Sequence, residues 1–278
     1  MIVRAAFQGE RGAFSETAVR QLLGPRAEPV PCRSFEEMFD SVARGEAECA
    51  VAPIENSLAG SVHKNYDLLM EHNLEILGET NVRIVHNLIA PAGVSLSLIK
   101  RIYSHPVALA QCEKFLRSHP EIEVVSAHDT AGSVRMIVEK GSRDEAAIAG
   151  AEAARVYNAQ ILVEGIEDNP ENYTRFLLLT RPEHAIRVEG ANGARKTSLV
   201  LRIANRPGAL FRALAALALR DIDLTKIESR PIEGRPWEYS FYLDFLGDRR
   251  EERIERALGH LAELAESIRV LGSYPRSL

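Results

Sequence analysis

The chain of 278 residues is 46% hydrophobic and 26% charged, which is typical of a globular protein with two domains of ordinary size. A net charge of −5 without any basic run excludes a general attraction for nucleic acid. The sequence shows no secretory-signal pattern and no apolar stretch long enough to span a bilayer, so we expect a cytoplasmic protein without a membrane segment.

The distribution of cysteine, histidine and glycine does not indicate cofactor chemistry. Cys32, Cys49 and Cys112 are far apart and outside any Cys-x-x-Cys spacing, which argues against a disulfide framework and a zinc site. The histidines lack the His-x-x-x-His spacing of a helical metal site. Gly9 and Gly12 form no Gly-x-Gly-x-x-Gly fingerprint, and no Walker-type lysine follows them. We therefore predict neither a metal nor an organic cofactor.

The first part of the chain alternates predicted strands and helices. A strand over residues 3–7 leads through a glycine turn to a helix start, where Ser15 is the predicted cap and backbone amides favour an anion. A capping box at residues 34–37 opens a second helix.

A predicted central strand over residues 49–54 ends in Glu55, Asn56 and Ser57. Because open α/β sheets hold ligands beyond the carboxyl ends of their strands, these three residues are candidate ligand contacts. Ordinary turn residues would produce the same pattern, so both interpretations stay open at this point.

The alternation restarts after residue 93, which indicates a second lobe with a helix predicted over residues 108–116. His105 ends a strand just before a proline. Such a histidine is more typical of a turn or a helix cap than of a catalytic base, so we keep it as a binding candidate only. Thr130 and Ser133 open a further helix at the end of the next strand.

Residues 172–180, Asn-Tyr-Thr-Arg-Phe-Leu-Leu-Leu-Thr, predict a buried strand with polar residues at its start. The turn-rich residues before this strand place Thr174 where a loop enters the core. Side chains alternate along a strand, so Thr174 and Phe176 face one side and Arg175 faces the other. A Thr-Arg-Phe triplet alone is more often an ordinary strand start than a site.

These elements predict an α/β protein of two lobes followed by a separate domain. Lobe one covers about 1–80 with 170–182, lobe two covers about 83–165, and we expect the ligand between the two lobes. Residues 183–196 lose apolar periodicity, which predicts a linker. Residues 197–278 follow the order strand, helix, strand, strand, helix, strand, which predicts an antiparallel sheet with both helices on one face.

Together these segments resemble prephenate dehydratase with a C-terminal regulatory ACT domain. The blocks that carry the resemblance are Gln8-Gly-x-x-Gly-Ala-Phe-Ser15, Pro53-Ile-Glu-Asn-Ser57, His105-Pro-x-Ala-Leu-Ala-Gln-Cys112, Asp129-Thr-Ala131, Asn172-Tyr-Thr-Arg-Phe176, Gly208-Ala-Leu-Phe211 and Glu228-Ser-Arg-Pro231. Their order and joint presence are highly specific, although Val107 replaces the glutamine that is usual in the family. The resemblance implies a two-lobed catalytic domain over 1–182 like the type II periplasmic binding proteins, and an α+β ACT domain.

The resemblance further implies the decarboxylative dehydration of prephenate to phenylpyruvate, which needs no metal or cofactor. It implies a catalytic block of Thr174, Arg175 and Phe176, in which Thr174 donates a hydrogen bond toward the leaving hydroxyl. Because Arg175 faces away from Thr174, we expect it to pair with Glu55. The expected substrate-binding residues are Ser15, Glu55, Asn56, Ser57, His105, Thr130 and Ser133.

Regulation is also implied by the resemblance, with L-phenylalanine as the feedback inhibitor and a homodimer or homotetramer as the assembly. Gly208 lies at a helix start whose amides suit a carboxylate, and Glu228 and Ser229 are expected to border the same pocket across a dimer interface. The expected effector-binding residues are Asn205, Gly208, Ala209, Leu210, Glu228 and Ser229.

Three alternatives remain open from the sequence. Arogenate dehydratase performs the same elimination on a substrate whose keto group is replaced by an amine. A non-catalytic amino-acid sensor or solute-binding protein would share the two lobes, but the Thr-Arg-Phe block argues against it. A purely regulatory ACT protein is disfavoured because about 180 residues of α/β structure precede that domain.

Overall fold

The structure is a computed structural model that describes residues 2–182, 184, 186–188 and 193–277. The chain divides into two compact units. One comprises the residues up to His72 together with Thr80–Leu177, and the other comprises Asn73–Glu79 together with the residues from Leu178 onward. No helix within the described ranges is long and apolar enough to cross a membrane.

Lobe one begins with alternating strands and helices, as the periodicity predicts. Its elements are β1 (Val3–Gln8), α1 (Phe14–Leu23), β2 (Ala27–Cys32), α2 (Phe35–Ala43), β3 (Cys49–Asn56), β4 (Gly60–Ser61), α3 (His63–Glu71) and β5 (Glu75–Arg83). The predicted capping box is confirmed, because Ser34 Oγ accepts from the backbone N–H of Glu37 at 3.2 Å and α2 begins at the next residue after Ser34.

Lobe two repeats the alternation with shorter elements. They are β6 (Asn87–Pro91), β7 (Arg101–Ser104), α4 (Pro106–Ala110), α5 (Glu113–Arg117), β8 (Glu123–Ser126), α6 (Thr130–Glu139), β9 (Glu145–Ala149), α7 (Ala151–Val156) and β10 (Ala159–Val163). The chain then returns to lobe one through β11 (Tyr173–Thr180).

Two sheets form the core of these lobes. The first has the order β2-β1-β3-β11-β5, with β4 paired to β3, and the second has the order β10-β6-β9-β7-β8. In the first sheet β1 is parallel to β2 and β3, and its centre is apolar because helices and loops cover it. The predicted two-lobed α/β architecture is therefore confirmed.

The helix predicted over residues 108–116 is wrong in one respect, because α4 ends at Ala110 and α5 begins after Cys112. The backbone carbonyl of Gln111 accepts from the N–H of Asp168 at 2.7 Å instead of continuing the helix. The carboxylate of Asp168 in turn accepts from the N–H of Lys114 at 3.0 Å and so satisfies the start of α5.

The C-terminal domain has the predicted order of elements. They are β12 (Arg195–Arg202), α8 (Ala209–Ala218), β13 (Leu224–Ile232), β14 (Arg235–Leu246), α9 (Glu252–Leu264) and β15 (Ser267–Pro275). The sheet has the order β13-β14-β12-β15 with antiparallel pairs, and both helices contribute to one apolar core. Ile254, Ala257 and Leu261 are fully buried because their helical spacing places them on one face of α9.

The predicted linker is shorter than 183–196, because its last two residues begin β12. Lys196 is buried and its Nζ contacts both carboxylate oxygens of Glu79, at 2.8 and 3.0 Å. This ion pair and the bond from Arg269 to the Leu74 carbonyl at 3.1 Å join Asn73–Glu79 to the rest of the second compact unit, although the predicted boundaries assign the segment to lobe one. Residues 183, 185 and 189–192 of the predicted linker lie outside the described residues.

Candidate active site

The carboxyl end of β3 lies beside the start of β11, so two distant candidate segments meet. The backbone N–H of Ser57 donates to the carbonyl of Tyr173 at 2.8 Å. The Ser57 hydroxyl accepts from the N–H of Tyr173 at 2.9 Å and donates to the carbonyl of Glu171 at 2.9 Å. The Ser57 hydroxyl therefore fixes the backbone of the residues just before Thr174, both as a donor and as an acceptor. This supports a positioning role for Ser57.

Asn56 is the residue that reaches Thr174. Its side-chain oxygen accepts from the backbone N–H groups of Leu58 at 3.0 Å and Ala59 at 2.8 Å. These two bonds require the Asn56 NH₂ group to point the other way, where Nδ2 donates to Thr174 Oγ1 at 2.9 Å. Nδ2 also lies 2.8 Å from Asn172 Oδ1 and 3.1 Å from the Tyr173 carbonyl, so its two shortest contacts are those to Asn172 and Thr174. The oxygen of the Thr174 hydroxyl is thus an acceptor toward Asn56.

The hydroxyl hydrogen of Thr174 is therefore available to a ligand, because within the described ranges Asn56 is the group that bonds this side chain. Thr174 and Arg175 are half-buried, whereas Phe176 is 2% exposed and belongs to the core. Phe176 can contribute to the reaction only by packing behind its neighbours. The expected pairing of Arg175 with Glu55 stays a prediction.

Three side chains that the sequence analysis did not list as site residues extend this arrangement into lobe two. Asn172 is fully buried and its Nδ2 donates to Gln111 Oε1 at 3.0 Å. His86 Nε2 lies 2.9 Å from the same Gln111 oxygen. We call Asn56, Asn172 and Gln111 the amide cluster. Gln111 and Asn172 stand inside blocks quoted for the family resemblance, which is the signal that could have found them, whereas nothing local distinguishes His86.

The two lobes approach each other closely near the start of α1. Gly12 has φ +83°, and a Cβ at this position would lie 2.7 Å from Ala153 Cα in α7. Only glycine allows that backbone conformation and that approach together. Glu10 and Arg135 form an ion pair at 2.8 Å from one lobe to the other. These contacts join lobe one to lobe two at the turn after β1.

The other residues predicted to bind substrate lie at or near the starts of helices. The prediction that Ser15 caps α1 is wrong, because Ala13 is the extended residue before the helix and Ser15 is the second helical residue. The Ser133 hydroxyl donates to the Asp129 carbonyl at 2.6 Å. Thr130 is the first residue of α6, which Asp129 caps by accepting from the N–H of Gly132 at 2.6 Å.

His105 is confirmed as a helix cap, since its Nδ1 accepts from the backbone N–H of Val107 at 3.2 Å. Partial desolvation by the neighbouring protein lowers the pKa of His105, although the residue as a whole is exposed, and the lower pKa favours the neutral form that this bond requires. Within the part of the chain that the structure describes, no hydrogen bond joins Ser15, His105, Thr130 or Ser133 to the amide cluster. Their contact with a substrate stays a prediction.

The three cysteine thiols are buried and do not offer a nucleophile. Burial raises their pKa, to about 11 for Cys32 and to about 12 for Cys49 and Cys112. At neutral pH they are protonated, and a thiol is a much weaker nucleophile than a thiolate.

A second candidate site lies in the C-terminal domain, where a cavity of about 90 Å³ opens beside the start of α8. The residues that line it are Ile203, Ala204, Asn205, Arg206, Ala209, Leu210, Trp237, Tyr239 and Phe241. Asn205, Ala209 and Leu210 were predicted as effector-binding residues. Gly208 precedes α8 in a left-handed conformation, with φ 77°. The three aromatic residues all belong to β14 and line the same cavity.

Glu228 and Ser229 do not line this cavity. Ser229 is paired with Phe241 in the sheet register, and paired residues share a face, so Ser229 lies on the face of the cavity. Glu228 is paired with Tyr242 and lies on the opposite face. The expected contribution of these two residues across a dimer interface stays a prediction.

Comparison with known proteins gives the family. The model of the family described as prephenate dehydratase matches residues 5–184, and the model of the ACT domain matches residues 197–263. The chain belongs to the prephenate dehydratase family. It is therefore a dehydratase with an ACT domain, as the resemblance implied.

Relatives cover almost the full chain. It is 44% identical to arogenate dehydratase/prephenate dehydratase 2 of Arabidopsis thaliana, over 98% of this chain and 73% of that protein. The prephenate dehydratase of Arthrobacter aurescens, solved in complex with L-Phe, is 36% identical with a TM-score of 0.88, over 99% of this chain and 90% of the other. A solved structure of GqqA, described as a novel type of quorum-quenching acylase, has 36% identity and a TM-score of 0.89, over 99% and 98% of the two chains.

Proposed function

We propose that this dehydratase converts prephenate to phenylpyruvate, and that the Thr174 hydroxyl donates a hydrogen bond to the hydroxyl that leaves. The observation that carries the proposal is the contact of Asn56 Nδ2 with Thr174 Oγ1 at 2.9 Å. Because Asn56 occupies the Thr174 oxygen as a donor, the Thr174 hydrogen is left for the substrate. Family membership supplies the reaction class.

The reaction requires little chemistry from the protein. The bond between the ring and its carboxylate breaks and releases carbon dioxide, and the electron pair of that bond enters the ring. The carbon–oxygen bond to the ring hydroxyl breaks at the other end, and hydroxide leaves and takes up a proton to become water. Aromatisation of the ring favours the products, and the elimination consumes no oxidant or reductant.

Thr174 acts in this scheme as a hydrogen-bond donor rather than as a strong acid. Negative charge develops on the leaving oxygen in the transition state, so a donor fixed in place stabilises the transition state more than the bound substrate. A positioned proton donor contributes about 10²- to 10⁴-fold to the rate. The hydrogen bond that Thr174 accepts from Asn56 polarises its hydroxyl and strengthens it as a donor.

Arogenate is the second candidate substrate. The elimination is the same, and only the keto group of the side chain is replaced by an amine. Relatives at 40–44% identity carry the name arogenate dehydratase, alone or together with prephenate dehydratase. Thr174 acts on the ring hydroxyl, which both substrates share, so its contact alone does not separate them.

Acyl transfer, the activity in the description of GqqA, is less well supported by the site. A threonine nucleophile needs a base that takes its proton. The described group bonded to Thr174 is the NH₂ of Asn56, which has no lone pair available for that proton. We therefore favour elimination over acyl transfer at Thr174.

We also propose that L-phenylalanine binds in the cavity of the C-terminal domain and inhibits the enzyme. Trp237, Tyr239 and Phe241 offer an aromatic surface to its ring, and the start of α8 offers backbone amides to its carboxylate. Linkage then requires phenylalanine and substrate to oppose each other's binding, by about 1–3 kcal/mol in a typical case. Exposed apolar side chains such as Trp237, Phe211 and Leu219 favour a homo-oligomer built through this domain.

Parallel turnover assays test the proposed function. Purified protein is mixed with prephenate, and phenylpyruvate is followed by its absorbance, while a second series uses arogenate and follows phenylalanine. We expect turnover of prephenate that phenylalanine suppresses. A kcat/KM for arogenate well above that for prephenate would show that arogenate is the preferred substrate. No turnover of either compound would overturn the proposal.

A further inference from the structure

His86 occupies the connection between β5 and β6, where the chain passes from lobe one to lobe two. Its side chain is buried, with 2% of the residue exposed. The imidazole packs against the Phe14 ring in a T-shaped arrangement, with a centroid distance of 5.8 Å and an interplanar angle of 82°. Nε2 lies 2.9 Å from Gln111 Oε1, whereas Nδ1 is buried without a hydrogen-bond partner among the described residues.

The orientation of the amide cluster decides which ring nitrogen carries the hydrogen. Two backbone N–H groups, those of Leu58 and Ala59, fix the oxygen of Asn56. The Asn56 NH₂ then requires an oxygen at the Asn172 atom 2.8 Å away, so the NH₂ of Asn172 must face Gln111. That group in turn requires an oxygen from Gln111, at 3.0 Å.

The same reasoning reaches the imidazole. An amide oxygen only accepts, so His86 Nε2 must donate to Gln111 Oε1, and the neutral ring carries its hydrogen on Nε2. Protonation of Nδ1 would leave a buried N–H without an acceptor, and burial lowers the pKa of His86. A neutral ring with one defined tautomer follows from backbone bonds that lie in the other lobe.

Gln111 is held in one orientation as a result. Its oxygen accepts from both His86 and Asn172, and within the described residues no acceptor lies on its NH₂ group. With Asn172 as the only donor, exchange of the two ends of the Gln111 amide would replace one hydrogen bond by one repulsive contact between NH₂ groups. With two donors, the exchange would place NH₂ against two N–H groups at hydrogen-bond distance, which is repulsive.

We propose that His86 is a positioning residue of the dehydratase reaction, which fixes the Gln111 amide so that its NH₂ group is presented to the substrate as a donor. A carboxylate or carbonyl oxygen of the substrate is the matching acceptor. This inference rests on the proposed function, because it assumes that the substrate binds beside Thr174 and the amide cluster. His86 itself does not touch the substrate in this scheme.

Two substitutions at His86 separate donation from packing. His86→Leu keeps a buried apolar side chain and removes the N–H, whereas His86→Gln keeps a side-chain N–H that can reach the Gln111 oxygen. We expect kcat/KM with prephenate to fall about 10- to 100-fold in His86→Leu, which is the loss expected for one hydrogen bond to a charged group. We expect His86→Gln to retain kcat/KM within a few-fold. Equal losses in both variants would overturn the inference.

A third substitution tests whether His86 acts through Gln111. In Gln111→Leu the amide is absent, so the further change His86→Leu should cost little additional activity. Additive losses in the double variant would show that His86 acts by another route. Thermal unfolding of every variant identifies a loss that comes from folding alone.

The tautomer is tested without any substrate by ¹⁵N NMR of histidine-labelled protein, with the His86 signals assigned from their loss in His86→Gln. We expect a protonated Nε2 and an unprotonated Nδ1 at pH 7. The opposite tautomer or a charged ring would overturn the inference whatever the kinetics. Wild-type protein that turned over neither prephenate nor arogenate would overturn the proposed function and the catalytic part of this inference, while the spectrum alone would still decide the tautomer.

Discussion

The amide cluster around Thr174 and the cavity of the C-terminal domain hold their side chains by different means. Around Thr174, polar groups from distant segments are bonded to one another, and their orientation is set by two backbone N–H groups of the chain after β3. In the C-terminal cavity, three aromatic side chains follow one another along a single strand, and Trp237 is 79% exposed. The first arrangement is rigid and directional, and the second is apolar and open.

This difference matches what each region is proposed to do. A transition state is stabilised by donors that are already in place before the reaction, which requires a bonded and oriented network. An effector site has to bind and release an amino acid. An open aromatic surface allows this because few side chains lose conformational entropy on binding. Substitutions in the first region should therefore act on kcat and on stability, and those in the second on effector affinity.

The largest effect is expected from Asn56→Asp. The side chain keeps its size and the oxygen that accepts from Leu58 and Ala59, but its NH₂ becomes a carboxylate oxygen. Thr174 would then donate its hydrogen to residue 56 instead of to the substrate. We expect kcat with prephenate to fall by about 10²- to 10⁴-fold. The same change at exposed Asn81 is the matched control and should leave kcat unchanged. An active Asn56→Asp enzyme would show that Asn56 does not orient Thr174.

The next effect concerns the stability of lobe one, at the turn between β1 and α1. Glu16 is fully buried and accepts from the N–H of Gly12 at 2.9 Å, from Arg11 Nε at 3.0 Å and from Arg20 at 2.6 Å. Burial by itself would raise the pKa of Glu16, but the hydrogen bonds from Gly12, Arg11 and Arg20 outweigh it and lower the pKa. Glu16→Gln should reduce the free energy of unfolding by about 1.5–3 kcal/mol at pH 7, measured by urea denaturation.

The pH dependence of this loss has a defined sign. A carboxyl whose pKa is lower in the folded state stabilises the fold above its unfolded pKa, near 4.5, and this contribution is lost as the pH falls through the folded value. The difference between wild type and Glu16→Gln should therefore shrink below about pH 4.5. Glu139→Gln, at a side chain that is 71% exposed, is the control and should change stability by less than about 0.5 kcal/mol. A difference that grew at low pH would contradict the assignment.

A smaller effect is expected in the C-terminal cavity. Trp237→Ala removes an exposed aromatic face and should weaken L-phenylalanine binding by about tenfold in calorimetry, which corresponds to one lost aromatic contact. The uninhibited rate should stay within twofold of wild type. Leu219→Ala removes an equally exposed apolar side chain that does not line the cavity, and its affinity should be unchanged. Unchanged affinity in Trp237→Ala would place the effector elsewhere.

Gly208 is a less suitable position for this test. Its φ of 77° lies in the left-handed region, and a β-branched residue there would strain the start of α8 whatever the ligand. Loss of inhibition in such a variant would report on the helix as much as on the effector site. Trp237 separates the two because its side chain is outside the core.

The two regions also differ in how far the sequence predicts them. The strand that begins near Thr174 and the polar end of β3 follow from local patterns, as does the order of elements in the C-terminal domain. Gln111 and His86 were missed because their bonds join residues far apart in the chain: 61 residues separate Asn172 from Gln111, and 25 separate His86 from Gln111. Periodicity describes one element at a time, so it contains no information on such pairs.

The break between α4 and α5 shows the same limitation. Apolar spacing continues through residues 108–116 and predicts one helix. The N–H of Asp168 donates to the carbonyl of Gln111, and Asp168 lies in a loop 57 residues further along the chain. The break places Gln111 at the end of α4, where its side chain is no longer part of a helix face. Local propensity was overridden by a tertiary contact at a residue of the site.

The most direct test of the central claim is kcat at saturating prephenate for Thr174→Val, with Thr174→Ser as the variant that keeps the hydroxyl. Valine has nearly the shape of threonine, so folding and KM should change little while the donor is lost. We predict a fall in kcat of at least about 100-fold in Thr174→Val, a much smaller fall in Thr174→Ser, and KM within a few-fold of wild type in both. A Thr174→Val enzyme with wild-type kcat would contradict the claim that this hydroxyl assists the departure of hydroxide.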